Sequence, residues 1–206
     1  MRIERIEKSK HKQERVLVFL EGGDLLRITG AELLRFGLYK GMDLSPALVV
    51  ELQAAAQQSQ LKQTAARMAS GRMLSKKEVQ RRLTKKGATE EQAADTADWL
   101  ETLGAVDDEG YAGVIVRHYG AMGYGPGRVK QELHRRGVPR KLWDEALAHL
   151  PPAADAVRKA VAARLRGRPM TQEDSRKLAA ALQRRGFSWN DIRPVLNEWG
   201  QEIDET

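Results

Sequence analysis

The chain has no cysteine. That absence excludes a disulfide framework, a thiolate zinc site and a cysteine nucleophile. Histidine is scarce as well. His11, His118, His134 and His149 are scattered, and no pair shows the i, i+4 spacing with a glutamate that a helical zinc site uses. Aromatic residues are 5% of the 206. That is few for a protein that would stack successive bases of a single strand. Trp99, Trp143 and Trp199 fall on apolar stripes instead, so they are expected to be largely buried. No apolar run approaches the ~18 residues of a membrane span. The start, Met1-Arg2-Ile3-Glu4-Arg5, lacks the apolar segment of a signal peptide. The expectation is a soluble cytoplasmic protein with no membrane partner, no metal and no cofactor.

What the chain does have is positive charge, unevenly placed. The formal net charge is +7, which suits a polyanionic or acidic partner. Residues 1–60 hold 9 Lys+Arg against 8 Asp+Glu, whereas residues 61–206 hold 26 against 20. The last residues, Glu202-Ile203-Asp204-Glu205, turn acidic.

It also has a repeated phrase. Leu83-Thr84-Lys85-Lys86-Gly87, Leu133-His134-Arg135-Arg136-Gly137 and Leu182-Gln183-Arg184-Arg185-Gly186 all read Leu-x-basic-basic-Gly, with the glycines 50 and 49 residues apart. A fixed period of this size points to tandem supersecondary units, each too small to bury its own apolar face. Apolar residues align around the phrase: Val79, Val129 and Leu178 before it, then Ala88, Val138 and Phe187, Ala93, Trp143 and Ile192, Ala97, Leu147 and Leu196, and Leu100, Leu150 and Trp199 after it. Steps of three and four residues put them on one helical stripe. Each glycine therefore separates two amphipathic helices, in a left-handed conformation that costs glycine almost nothing.

Start signals agree. Ser75-Lys76-Lys77-Glu78 is a capping box, Gly125-Pro126 places proline at the first helical position, and Thr171-Gln172-Glu173-Asp174 is a weaker box. Upstream helices are expected over about 61–70, 108–122 and 153–166. The fold class is mainly α: three tandem three-helix repeats (61–108, 109–150, 151–206) in an elongated curved array. Residues 1–60 precede them. There Arg2–Glu7, Arg15–Leu20 and Leu25–Ile28 read as strands, Lys8–Glu14 and Gly22-Gly23-Asp24 as connections, and Thr29–Gly37 as a short helix. A helix from about Pro46 to Gln58 is expected to run into the first repeat.

Candidate chemistry is thin. Asp107-Asp108 stands just before a helix, where aspartate caps free N–H groups, and that reading is preferred to paired catalytic carboxylates. Gly123-Tyr124-Gly125-Pro126-Gly127 lacks the Gly-Lys-Ser/Thr and the preceding strand of a phosphate loop. A helix N-terminus there could still accept one phosphate or carboxylate. The basic pairs Lys85/Lys86, Arg135/Arg136 and Arg184/Arg185 each complement a helix dipole, at roughly 0.3–1 kcal/mol. They recur in register, however, and Arg67, Arg117 and Arg166 form a second register twenty residues before each glycine. Stacked repeats would turn both registers into an extended basic track, which is the expected binding surface.

Several of these stretches together resemble a known family. Ser75-Lys76-Lys77-Glu78-Val79-Gln80-Arg81-Arg82-Leu83-Thr84-Lys85-Lys86-Gly87, Trp99–Gly104, Val106–Ala112 and Gly125–Leu133 are similar, in order and spacing, to the RecX regulators of the RecA recombinase. The third repeat is the least typical, with Asp174 at its start and Pro194 expected to interrupt its last helix. The resemblance implies a non-enzymatic protein that binds the RecA nucleoprotein filament in its groove and modulates its ATPase and strand-exchange activities, recombination and the DNA-damage response. Inhibition is the expected direction, a monomer the expected state, and contact with single- or double-stranded DNA a further expectation. A sequence-nonspecific DNA-binding repeat protein is the alternative.

Overall fold

The computed structural model of the chain describes residues 1–10 and 15–201. His11, part of the Lys8–Glu14 connection and the acidic residues 202–205 lie outside the described residues. The chain divides into two compact units, residues 1–71 with 80–102, and residues 72–79 with everything from Leu103 onward.

The first unit opens with an antiparallel sheet in the order β1 (Ile3–Lys8), β2 (Arg15–Leu20), β3 (Leu25–Thr29). Val18 lies opposite Ile6 on one side and Leu26 on the other. The alternation of β2 buries Val16, Val18 and Leu20 on one face, as a period of two requires. Gly22 and Gly23, both at positive φ, turn β2 into β3. Helix α1 (Gly30–Arg35) starts at Thr29, whose hydroxyl accepts from Glu32 N while the Glu32 carboxylate accepts from Thr29 N. Ser59 also donates to Glu32, at 2.5 Å.

Ser59 belongs to α2, a single helix over Pro46–Gly71. The segment expected to end near Gln58 and the first helix of the repeat are thus one continuous element. Its early part packs Leu52 into the sheet core. Its later part buries Ala65 and lies against α4 (Glu90–Thr102), which buries Ala93, Thr96, Ala97 and Leu100. Between them in sequence runs α3 (Lys76–Thr84), its Val79 and Leu83 fully buried.

The second unit holds the other two repeats. In one, α5 (Asp108–Ala121) and α6 (Pro126–Arg135) close over Tyr111, Ala112, Ile115, Val116, Val129 and Leu133. The third helix of this repeat is short, a 3-10 turn Arg140–Leu142 followed by α7 (Trp143–Leu147). Leu150, expected on that helix, sits beyond its end, because Pro151 and Pro152 bar a continuing helix. In the other repeat, α8 (Ala153–Leu165), α9 (Gln172–Arg184) and α10 (Trp189–Gln201) enclose Val157, Val161, Leu165, Leu178, Leu182, Phe187 and Ile192.

One expectation needs correction. Pro194 does not interrupt α10, which runs through it to Gln201. The proline removes one backbone donor, but burial of Ile192, Val195 and Leu196 holds the helix, each contributing on the order of 1.5–3 kcal/mol. The tryptophans on the stripes are largely buried, as expected, though none is fully enclosed. Trp143 points its indole Nε1 at Val138 O (3.0 Å), and the Trp99 ring faces Lys62 Nζ at 5.2 Å. An indole is too large for a core this small, so its ring edge stays at the surface.

Candidate partner-binding surface

The repeated phrase builds a helix ending of one design. Gly87, Gly137 and Gly186 stand at φ +93°, +75° and +89°. In each, the glycine N–H and the next N–H turn back to the helix. Gly137 N donates to His134 O and Val138 N to Leu133 O, both at 3.0 Å. The same pairs recur as Gly87 to Thr84 and Ala88 to Leu83, and as Gly186 to Gln183 and Phe187 to Leu182. This is the Schellman ending, in which the leucine and the residue after the glycine also touch. The leucine, the glycine and the following apolar residue of the phrase are therefore one structural device.

Two of the three turns do more. The Ser75 hydroxyl caps Glu78 N at 3.1 Å and donates to Arg136 O at 2.5 Å. Gly125, which stands at the same place in the next repeat, donates its N–H to Arg185 O at 2.8 Å, and Gly127 N donates to Gly186 O at 2.9 Å. Each turn thus latches the start of the preceding central helix, the middle one through the Ser75 hydroxyl and the last by satisfying N–H groups that a helix N-terminus leaves open. The expected carboxylate or phosphate site at Gly125–Gly127 is taken by these carbonyls. Asp108 Oδ1 also accepts from Lys76 N at 2.9 Å, while Asp107 caps its own helix at Gly110 N. Both aspartates are caps, on two different helices. In the last repeat α9 begins a full turn earlier, and Thr171 and Asp174 close its start with a reciprocal box. Arg168 adds a two-pronged ion pair to Asp174 at 2.6 and 2.8 Å. Asp174 departs from the sequence pattern because it closes this helix start itself, with Thr171 and Arg168.

The cations of the phrase are placed unequally. Lys85 and Lys86 are exposed, and Lys86 shares a cleft of about 650 Å³ with Arg67. Arg184 and Arg185 are exposed, and Arg185 shares a second cleft with Arg117 of the preceding repeat. Arg135 and Arg136 instead close on Glu132, a residue only 4% exposed. Arg136 also donates to Tyr111 Oη at 2.7 Å. The Arg135 hydrogen bond outweighs the opposing effect of burial and, with Arg136, holds the Glu132 carboxyl down at about 2. Burial works against the Arg136 guanidinium, yet its bonds to Tyr111 and Glu132 raise it above the ordinary arginine range. Arg166 leaves its register. It is the C-cap of α8 at φ +51°, whereas Arg67 and Arg117 lie within helices. Glu132 was not singled out from the sequence, although arginines three and four residues after a glutamate on a helix signal such a clamp.

The model of the second three-helix domain of RecX matches residues 107–147, and that of the third matches 153–196. A Regulatory protein RecX of Lactobacillus delbrueckii subsp. bulgaricus is 30% identical over 96% of this chain and 74% of its own length. The chain belongs to the RecX family. The Regulatory protein RecX of Bacillus licheniformis is 29% identical over 98% of this chain and 79% of that protein. That of Mycolicibacterium smegmatis is 32% identical over 68% and 79%. A crystal structure of regulatory protein RecX shares the fold with a TM-score of 0.75 at 24% identity, covering 95% of this chain and 98% of that one. RecX from Lactobacillus salivarius does so at 0.61 and 21%, covering 70% and 97%.

In RecX terms, α5–α7 is the second domain and α8–α10 the third, and the Gly125–Gly186 latch joins them. Among the described residues no cluster of His, Asp and Glu could hold a metal, and no helix is long and apolar enough to cross a membrane.

Proposed function

We propose that this RecX-family chain is a cytoplasmic, monomeric, non-enzymatic regulator that lies in the groove of the RecA nucleoprotein filament. Residues 61–108, 109–150 and 151–206 act as successive modules that bridge neighbouring protomers. In that position they hinder the movements of nucleotide turnover and obstruct the incoming duplex, which lowers ATPase and strand-exchange activity. The observation that carries the reading is the placement of exposed cations at the same helix ending in separate repeats, Lys85 and Lys86 in one and Arg184 and Arg185 in another, each beside a cleft that a further arginine borders, Arg67 at the first and Arg117 of the preceding repeat at the second. Several modest contacts held on one scaffold raise affinity through effective concentration, without a deep pocket.

The test is a titration of wild type, Lys85→Glu/Lys86→Glu and Arg184→Glu/Arg185→Glu against RecA assembled on single-stranded DNA, at two salt concentrations. Each reversal is expected to weaken binding about threefold to tenfold, with the difference shrinking as salt rises. Equal affinity of the wild type for bare DNA would replace this reading with that of a DNA-binding protein.

A further inference from the structure

The second repeat meets the third across a cleft of about 610 Å³, within the range of specific ligand sites. Its floor is apolar: Val116 and Ala121 of α5, Leu150 and Pro151 of the connection, and Ala156 and Ala160 of α8. Gly120 makes that floor possible, since a Cβ there would stand 2.9 Å from Leu150 Cδ2. Met122, 51% exposed, stands at the mouth. Around the rim are Arg117, Lys159, Arg185 and His149, all exposed. The one carboxylate on the lining, Asp155, is paired with Arg158 at 3.1 Å. Arg117, Lys159 and Arg185 form no ion pair among the described residues.

We infer that this cleft is a docking site for an acidic peptide segment of a partner protein, one that carries an apolar side chain flanked by carboxylates. The apolar floor removes the central side chain from water, at about 25 cal/mol per Å². The three cations, drawn from three different elements, meet the flanking carboxylates, arginine with a two-pronged fork. A nucleic-acid strand fits less well, because its bases would need aromatic faces to stack on and the floor is aliphatic. The inference goes beyond the filament reading, because it concerns a peptide ligand and stands or falls without RecA.

The experiment uses the full chain and a short fluorescein-labelled peptide of leucine and phenylalanine flanked by glutamates, read by anisotropy. Saturable binding is expected. Ala163→Trp, which fills the cleft from an exposed position on its wall, is expected to weaken it about tenfold or more. Lys159→Glu is expected to do the same, so the result does not hinge on one variant's folding, and melting curves of both should match wild type. A peptide with glutamines for glutamates should also lose about tenfold. Three results would overturn the inference: no saturable binding, undiminished binding by both variants, or displacement of the peptide by an oligothymidylate that binds more tightly and shows the same dependence on Lys159. Binding that appears only after removal of residues 202–206 would assign the cleft to the chain's own acidic segment and equally overturn it. Loss of peptide binding with intact filament binding would separate this site from the proposed function.

Discussion

Gly87 and Gly186 end their helices in the same way, yet their surroundings are opposite. Both stand at positive φ, +93° and +89°. A Cβ on Gly87 would meet nothing within 4 Å, whereas one on Gly186 would stand 2.2 Å from Arg128 N. The first turn is a helix ending and nothing more. The last is also a latch, with Arg185 O and Gly186 O accepting from Gly125 N and Gly127 N. The same five-residue phrase thus has one local meaning and two tertiary ones. The cations of both turns face solvent; where the turn is docked, its backbone also becomes part of the joint between repeats.

The largest effect should come from adding a side chain at the docked turn. Gly186→Ala combines left-handed strain with a backbone clash and should lose more than about 3 kcal/mol, beyond the roughly 1–2 kcal/mol of strain alone. Gly87→Ala should lose only the strain. Chemical denaturation of the two variants checks this, and equal losses would break the comparison. Leu133→Ala removes the fully buried leucine that closes the middle turn and should cost about 2–5 kcal/mol by the same measurement.

Acid sharpens the contrast between the middle turn and its neighbours. The Glu132 carboxyl, held at about 2 by Arg135 and Arg136, has a folded value below its unfolded one. Its contribution is fully present above about pH 4.5 and is lost as pH falls towards 2, on the order of 2–3 kcal/mol in total. Urea midpoints measured between pH 6 and pH 2.5 should fall more steeply for wild type than for Glu132→Gln. Parallel curves would show that the clamp contributes nothing. Positions 82 and 181, at the same place in the other repeats, are Arg and Ala, so this glutamate clamp belongs to the middle repeat.

Reversal of the basic pairs should divide in the same way. Arg135→Glu/Arg136→Glu sets new carboxylates beside Glu132 and should lower the melting temperature by several degrees, as a loss of 1 kcal/mol or more does in a chain this size. The smallest effect on stability is expected for Lys85→Glu/Lys86→Glu, within about 0.5 kcal/mol, as for other exposed surface sites. Thermal melts of both variants decide it; a large loss at Lys85/Lys86 would show an internal role for the open turn.

The repeat was legible because a period near 50 residues, a leucine and a glycine four residues apart and an apolar residue after the glycine are local requirements of one helix ending. Backbone sterics and hydrogen bonding over a single turn enforce them wherever the phrase occurs. The same holds for the Thr29 and Thr171 caps and for the strand alternation of Val16, Val18 and Leu20. The path of α10 through Pro194 and the shortness of α7 were not legible, because packing around prolines depends on neighbours distant in the chain. The basic residues show the division most plainly. Sequence determined that Lys85/Lys86, Arg135/Arg136 and Arg184/Arg185 would stand at helix ends. Only the tertiary structure decided that exposed Arg135 and half-buried Arg136 pair with a buried glutamate, that Arg117 and Arg185 from different repeats border one cleft, and that the carbonyls of Arg185 and Gly186 cap another helix. Local conformation is set by a few neighbouring residues, whereas a side chain's partner is set by whatever the fold carries to within hydrogen-bonding distance.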